Sequence, residues 1–238
     1  MRSEPQSSGS LDTDLALAPE DTVDNLCGAD SLLFDRQCGA RATPRTLQAP
    51  TNPPGAHALA QIKPALLRQA RQIRLIAMDI DGVLTPGHVV VLDSGEEIKS
   101  WHVRDRFGFV LARQCKNPFR FAWISGRQSN AVRRAAQELK IDACELGTPD
   151  KGQSYVKIKK QLGVEDREVA FIGDDLTDLP VLSRVGLACS PHDASKDIRQ
   201  SVHYVTSVPG GQGVFREVLE LILQSQGLWK GLLDRYRA

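Results

Sequence analysis

The sequence predicts a three-layer α/β domain built on a mostly parallel sheet. Three features carry that expectation: short apolar runs of strand length, stretches of helical period between them, and small or acidic residues directly after the runs. Runs buried on both faces are continuous rather than alternating, as parallel strands between two helical layers require.

The elements follow in order. Residues 58–73 carry Ile62, Leu66, Ala70 and Ile73 at spacings of three and four, which predicts an amphipathic helix. Residues 75–80 form an apolar run ending in acidic residues, a buried strand. The stretches 89–92 and 98–103 flank Asp93, Ser94 and Gly95 and read as a hairpin. A helix over 106–116, a strand over 119–124, a helix over 130–139, a strand over 143–146, a helix over 153–162 and a strand over 169–172 then alternate. Short elements are expected at 179–185, 187–189 and 204–205, and a closing helix at 214–226. The segment 229–238, with Leu228, Leu232 and Leu233 beside basic residues, is expected either to dock on a neighbouring subunit or to form a frayed helical tail. Trp101 and Trp123 read as packing residues, and His88, His192 and His203 as surface or turn residues.

Residues 1–56 look different. Ser7, Ser8, Gly9 and Ser10, the acidic run near Glu20 to Asp24 and the turn-rich stretch 49–55 show no sustained period. So little surface can be buried against the entropy of ordering that a disordered extension, or an over-extended start site, is expected. The globular domain is expected to span 57–238.

Composition narrows the classes. Hydrophobic content of 41% and charged content of 25% are those of a soluble globular chain, and the net charge of +1 gives no footprint for nucleic acid or an anionic membrane. No stretch approaches the roughly 20 apolar residues of a membrane span, and the N-terminus lacks the apolar core of a secretory leader. Cys27, Cys38, Cys115, Cys144 and Cys189 are scattered, with no zinc-like pair and no basic cluster beside them. A reducing cytoplasm is the expected compartment, with Cys144 and Cys189 as small core residues.

In a parallel sheet, ligands bind beyond the carboxyl ends of the strands. After the first strand comes DIDGVLT, in which Asp79 and Asp81, one residue apart, point the same way and Gly82 permits a sharp turn. After the second come Ser125, Gly126 and Arg127, a hydroxyl, a flexible N–H and a guanidinium, all donors to phosphate. Lys151 opens the helix after the third, and Gly173, Asp174, Asp175 and Asp178 follow the fourth. A carboxylate attacking a phosphate monoester meets like-charge repulsion, which a lysine and a divalent cation offset. Magnesium takes hard oxygen ligands, and Asp79, the Asp81 backbone carbonyl and Asp174 can supply the protein's share.

The order DIDGVLT, ISGR, Lys151 and GDDLTD resembles the haloacid dehalogenase superfamily. Within it, residues 73–227, including GEEIKSWHVRD, VGLACSPHDA and YVTSVPGGQGVFREVLELIL, are similar to the KDO 8-phosphate phosphatase family, KDO being 3-deoxy-D-manno-octulosonate. The resemblance implies a Rossmann-like sheet of the haloacid dehalogenase type with a small hairpin in place of a cap domain. It implies Mg2+-dependent hydrolysis of a phosphorylated keto-acid sugar, a precursor step of lipopolysaccharide synthesis, in a cytoplasmic homotetramer. Asp79 would be the nucleophile and Asp81 the general acid and then base. Ser125 and Lys151 would clamp phosphate, Asp174 would ligate the metal, and Asp175 and Asp178 would stand behind the ligands, Asp175 more as a loop hydrogen-bonder. His102, Arg104 and Asp105 would meet the substrate, although Arg104 and Asp105 also read as a surface ion pair.

The chain departs from the family at Arg106 and Phe107, where Gly and Tyr are usual, and at Ala135 and Gln212, where arginines are common. Arginine is the natural clamp for a sugar carboxylate, so the substrate is less fixed than the chemistry. Another sugar phosphate, such as KDN 9-phosphate, is the alternative substrate, and a silent oligomerisation domain is the alternative of another class.

Overall fold

The structure, a computed structural model, describes residues 63–116 and 119–237. The expected extension over 1–56 and the start of the helix expected from residue 58 lie outside the described residues.

Helix α1 (Pro64–Ala70) leads into the central strand β1 (Leu75–Met78). The hairpin strands β2 (Val90–Val91) and β3 (Glu97–Ile98) follow, then α2 (Val103–Arg113), β4 (Arg120–Ser125), α3 (Asn130–Glu138), β5 (Ala143–Leu146) and α4 (Lys151–Leu162). Next come β6 (Val169–Ile172), α5 (Leu179–Leu182), β7 (Leu187–Ser190), α6 (Lys196–Ser201), β8 (Tyr204–Val205), α7 (Val214–Ser225) and α8 (Trp229–Arg237). Six strands form one parallel sheet in the order β5-β4-β1-β6-β7-β8, with β1 between β4 and β6, and the hairpin stands apart as a two-stranded antiparallel sheet.

The period of two along β1 sorts its side chains between two cores. Ile76 and Met78 pack with Phe121 and Trp123 of β4 under α1, α2, α3 and α7; Leu75 and Ala77 pack with Ala122, Ile124 and Phe171 under α4, α5 and α6. This is the three-layer arrangement the sequence predicts. Phe109 lies 4.2 Å from Phe215 and 4.9 Å from Phe121, ring centre to ring centre, and Trp101 stacks on Trp123 at 5.6 Å. These aromatics fix α2 and α7 to the sheet. Among the described residues no helix is long and apolar enough to cross a membrane.

Four expectations need correction. The strand expected to run to Val103 ends at Ile98, and α2 begins at Val103 because the His102 Nδ1 accepts the Arg104 N–H as an N-cap. The Cys144 side is exposed, since β5 is the edge strand; Cys189 in β7 is buried as expected. Of the two readings of the last segment, the frayed tail is corrected: α8 buries Leu232, Arg235 donates to the Gln114 carbonyl at 2.8 Å, and Tyr236 packs edge-on against Phe107. Finally, Arg104 and Asp105 form no ion pair, for Asp105 is buried while Arg104 is exposed.

Candidate active site

Because β1 is central, its carboxyl end lies between those of β4 and β6, and the segments after these three strands and β5 converge. Asp79 directly follows β1, its N–H bonded to the Ile172 carbonyl at 3.0 Å, and it is buried. Lys151, the first residue of α4, is buried too; its ammonium lies 3.1 Å from Asp79 Oδ1 and 2.8 Å from Asp178 Oδ1. Asp150 caps α4 by accepting the Gln153 N–H, which places Lys151 on the inner face of the first turn.

Asp79, Asp174 and Asp178 each offer a carboxylate oxygen within 4.8 Å of the others. Burial raises the Asp79 carboxyl well above its ordinary value; Lys151 opposes the rise and Asp178 adds to it. Asp174 is raised further, by burial first and then by the Asp79 and Asp178 charges. Burial alone would lower Lys151, but Asp79 and Asp178 outweigh it and raise the ammonium's pKa, so Lys151 stays charged. One ammonium among three carboxylates leaves an excess of negative charge. Asp174 Oδ1 is buried and finds no hydrogen-bond donor among the described residues. A hard divalent cation fits this donor set, and Asp79 and Asp174 are the side chains able to hold it.

Glycines bring the acidic loops this close. A Cβ on Gly82, whose φ is +95°, would lie 2.1 Å from Asp174 Oδ2, and one on Gly173 would lie 2.6 Å from the Asp178 carboxyl carbon. Asp178 Oδ2 accepts the N–H groups of Asp174 and Asp175 at 3.1 and 3.3 Å, so it braces the loop as well as Lys151. Asp175 is exposed and caps the short 3-10 turn Leu176–Asp178.

The other expected residues divide. Ser125, at the end of β4, is buried; its hydroxyl accepts the Arg127 N–H at 3.2 Å, and Ser129 caps α3. Gly126 and Arg127 are exposed, and the Arg127 guanidinium pairs with Glu97 of the hairpin. Asp81 is half-buried; its Oδ1 accepts from Thr85 at 3.3 Å and from the Lys99 ammonium at 2.5 Å. His102 caps α2 beside Gly213. Asp105 binds the start of α7: its Oδ1 accepts the Arg216 N–H at 2.8 Å, and burial pushes its carboxyl up to about 6 against the α7 amides and Arg216.

Two features escape the sequence reading. One is Lys99, whose side chain is 1% exposed. Its signal is the period of two: Ile98 faces solvent in the free-standing hairpin, so Glu97 and Lys99 share the inner face. The other is the placement of the loop 210–213, noted in the sequence only for Gln212: it closes on the Asp81 turn. A Cβ on Gly210 would lie 2.1 Å from the Gly82 carbonyl oxygen, and Gly211 N–H donates to the Val83 carbonyl at 2.9 Å.

Comparison with known proteins agrees with this geometry. The family model for haloacid dehalogenase-like hydrolases matches residues 147–218. The 3-deoxy-D-manno-octulosonate 8-phosphate phosphatase KdsC of Yersinia pestis is 36% identical over 166 residues, 70% of this chain and 88% of the relative. The protein of the same name from Haemophilus influenzae is 37% identical over 160 residues, 67% and 88% of the two chains. Among solved structures, that phosphatase from Moraxella catarrhalis in complex with magnesium, phosphate and KDO superposes with a TM-score of 0.69 at 35% identity, covering 72% of this chain and 97% of that one. A fold of this kind with an acidic cluster and a lysine at adjoining strand ends defines a phosphomonoester hydrolase. The chain belongs to the KDO 8-phosphate phosphatase family of the haloacid dehalogenase superfamily.

Proposed function

We propose that this chain hydrolyses the phosphate ester of KDO 8-phosphate, releasing KDO and phosphate, in a magnesium-dependent reaction through a phosphorylated Asp79. The single observation that carries this reading is the meeting of Lys151 with Asp79, Asp174 and Asp178 around one point from three separate strand ends. Family membership and the Moraxella complex support the substrate and the metal.

Asp79 attacks phosphorus and the sugar oxygen departs, taking a proton from Asp81. Water then attacks the acyl phosphate, gives its proton to Asp81, and leaves Asp79 free again. Lys151 and the Ser125 hydroxyl, with the Gly126 amide, would hold the phosphate oxygens, and the exposed Arg127 and Arg104 and the half-buried His102 would meet the sugar. Asp79, Asp174 and the Asp81 carbonyl would hold magnesium, which when bound would supply positive charge for a carboxylate to approach a phosphate dianion. Asp175 and Asp178 keep the Asp174 loop in place. Asp105 serves the substrate only through α7, whose first turn it holds.

The same reading takes residues 57–238 as the phosphatase domain of a cytoplasmic homotetramer in lipopolysaccharide precursor synthesis. Val89, Val90, Val91, Leu92 and Ile98 of the hairpin are 43–58% exposed, an apolar patch that suits burial against another subunit. The test is a panel of phosphorylated keto-acid sugars, KDN 9-phosphate included, with magnesium and with EDTA. Turnover is expected with magnesium alone, highest on KDO 8-phosphate, and lost in Asp79→Asn. Turnover of a chromogenic phosphate ester by purified Asp79→Asn would sink the mechanism, and silence across the whole panel would favour a purely structural domain.

A further inference from the structure

A chain of charges runs from the acid–base carboxylate to the hairpin. Lys99 Nζ lies 2.5 Å from Asp81 Oδ1 and 3.5 Å from Glu97 Oε2, and Glu97 Oε1 pairs with Arg127. Lys99 is almost wholly buried, 1% exposed, so it has lost its water. Glu97 Oε2 has no hydrogen bond of its own among the described residues and faces that ammonium. A buried ammonium needs partners in good geometry, and removing one partner leaves an unpaired charge. The cation is therefore held in place, and it holds what it touches.

What it touches is one oxygen of Asp81. Oδ1 accepts from Lys99 and, at 3.3 Å, from the Thr85 hydroxyl; among the described residues no donor is found for Oδ2. We propose that Lys99 is the positioning residue for Asp81: by occupying Oδ1 it fixes the carboxyl rotamer and leaves Oδ2 as the oxygen that passes the proton to the leaving alkoxide and takes it back from water. The Glu97–Arg127 pair extends the tether, so the base of the hairpin, Asp81 and the turn after β4 are set as one unit. The inference rests on the role given to Asp81 above. It does not involve Lys99 in contact with substrate.

The experiment uses purified full-length protein with excess magnesium, comparing wild type with Lys99→Met and Lys99→Arg on two esters. An alkyl ester, KDO 8-phosphate, needs a proton on its leaving group; 2,4-dinitrophenyl phosphate does not. With Lys99→Met, turnover of the alkyl ester is expected to fall by at least about tenfold, towards the roughly 10²-fold lower end of a lost general acid. The pre-steady-state burst of dinitrophenolate is expected to stay within about threefold of wild type, followed by slow turnover as phosphorylated Asp79 accumulates. Lys99→Arg keeps the charge in a different shape and is expected to lose less, with the same selectivity. Loss of the dinitrophenolate burst in parallel with alkyl-ester turnover would show a merely structural role, and no loss of turnover on either ester would show none; each overturns the proposal. If Lys99→Met does not fold, the selectivity of Lys99→Arg decides in the same way. Failure to trap phosphorylated Asp79 in wild-type protein after acid quench would instead overturn the mechanism itself.

Discussion

Replacing Gly82 by alanine tests the position of the metal-side carboxylate most directly. The added methyl would stand 2.1 Å from Asp174 Oδ2 and 2.6 Å from its carboxyl carbon, where ordinary contact begins at 3.4 Å. Asp174 must retreat by about 1 Å, a displacement that typically costs about 10²-fold in rate. The backbone adds its own strain, because φ is +95° and a side chain in left-handed backbone costs about 1–2 kcal/mol. Gly87→Ala is the control: φ is +78° there, but the nearest atom to the new methyl is 3.5 Å away. Both variants are expected to melt roughly 2–8 °C below wild type. Only Gly82→Ala is expected to lose about 10²-fold in kcat/KM and to need more magnesium for half-maximal activity. The assay is a magnesium titration of phosphatase activity alongside thermal melts. Should Gly82→Ala turn over within about threefold of Gly87→Ala, the Asp174 carboxylate does not work where the structure puts it.

Three further outcomes are expected. Lys151→Met should lower kcat/KM by at least about 10²-fold, since Asp79 and Asp178 lose the cation they share; a loss below tenfold would remove Lys151 from the phosphate site. Asp105→Asn should flatten the pH dependence of stability. The folded state binds the Asp105 proton more tightly than the unfolded chain, about 6 against 3.8, so its contribution is fully present below 3.8 and is lost as pH rises through 6. That difference is worth about 3 kcal/mol, and urea unfolding at pH 4 and 7.5 should show the variant gaining on wild type by that order; parallel pH profiles would refute it. Val91→Glu places a charge on the 58%-exposed apolar hairpin and should yield smaller species in sedimentation, while an unchanged mass would remove the hairpin from any subunit interface.

The sequence shows the fold well because burial on both faces leaves an unbroken signature. The expected strands at 143–146 and 169–172 and the short element expected at 204–205 have the bounds of the structure's strands to the residue. Asp79, Lys151 and Asp174 are legible for a related reason: a motif at a strand end has only one place to go in a parallel sheet. Errors gather where tertiary surroundings override local pattern. Cys144 reads as core but lies on an edge strand, and Asp105 reads as surface but caps α7, 111 residues further along the chain. Lys99 is missed because a lysine beside glutamates reads as solvated, whereas the detached hairpin turns its apolar Ile98 outward and its charges in.

Asp178 shows how much tighter a site can be than its distances suggest. Its side chain is 0% exposed and faces donors alone, an ammonium on one oxygen and two amides on the other. Asparagine has the same shape, yet whichever way it is flipped its NH₂ must confront either Lys151 or the amides of 174 and 175. A swap that conserves volume almost perfectly thus sets donor against donor in a sealed space. At this position a smaller residue, which at least admits water, is the gentler change.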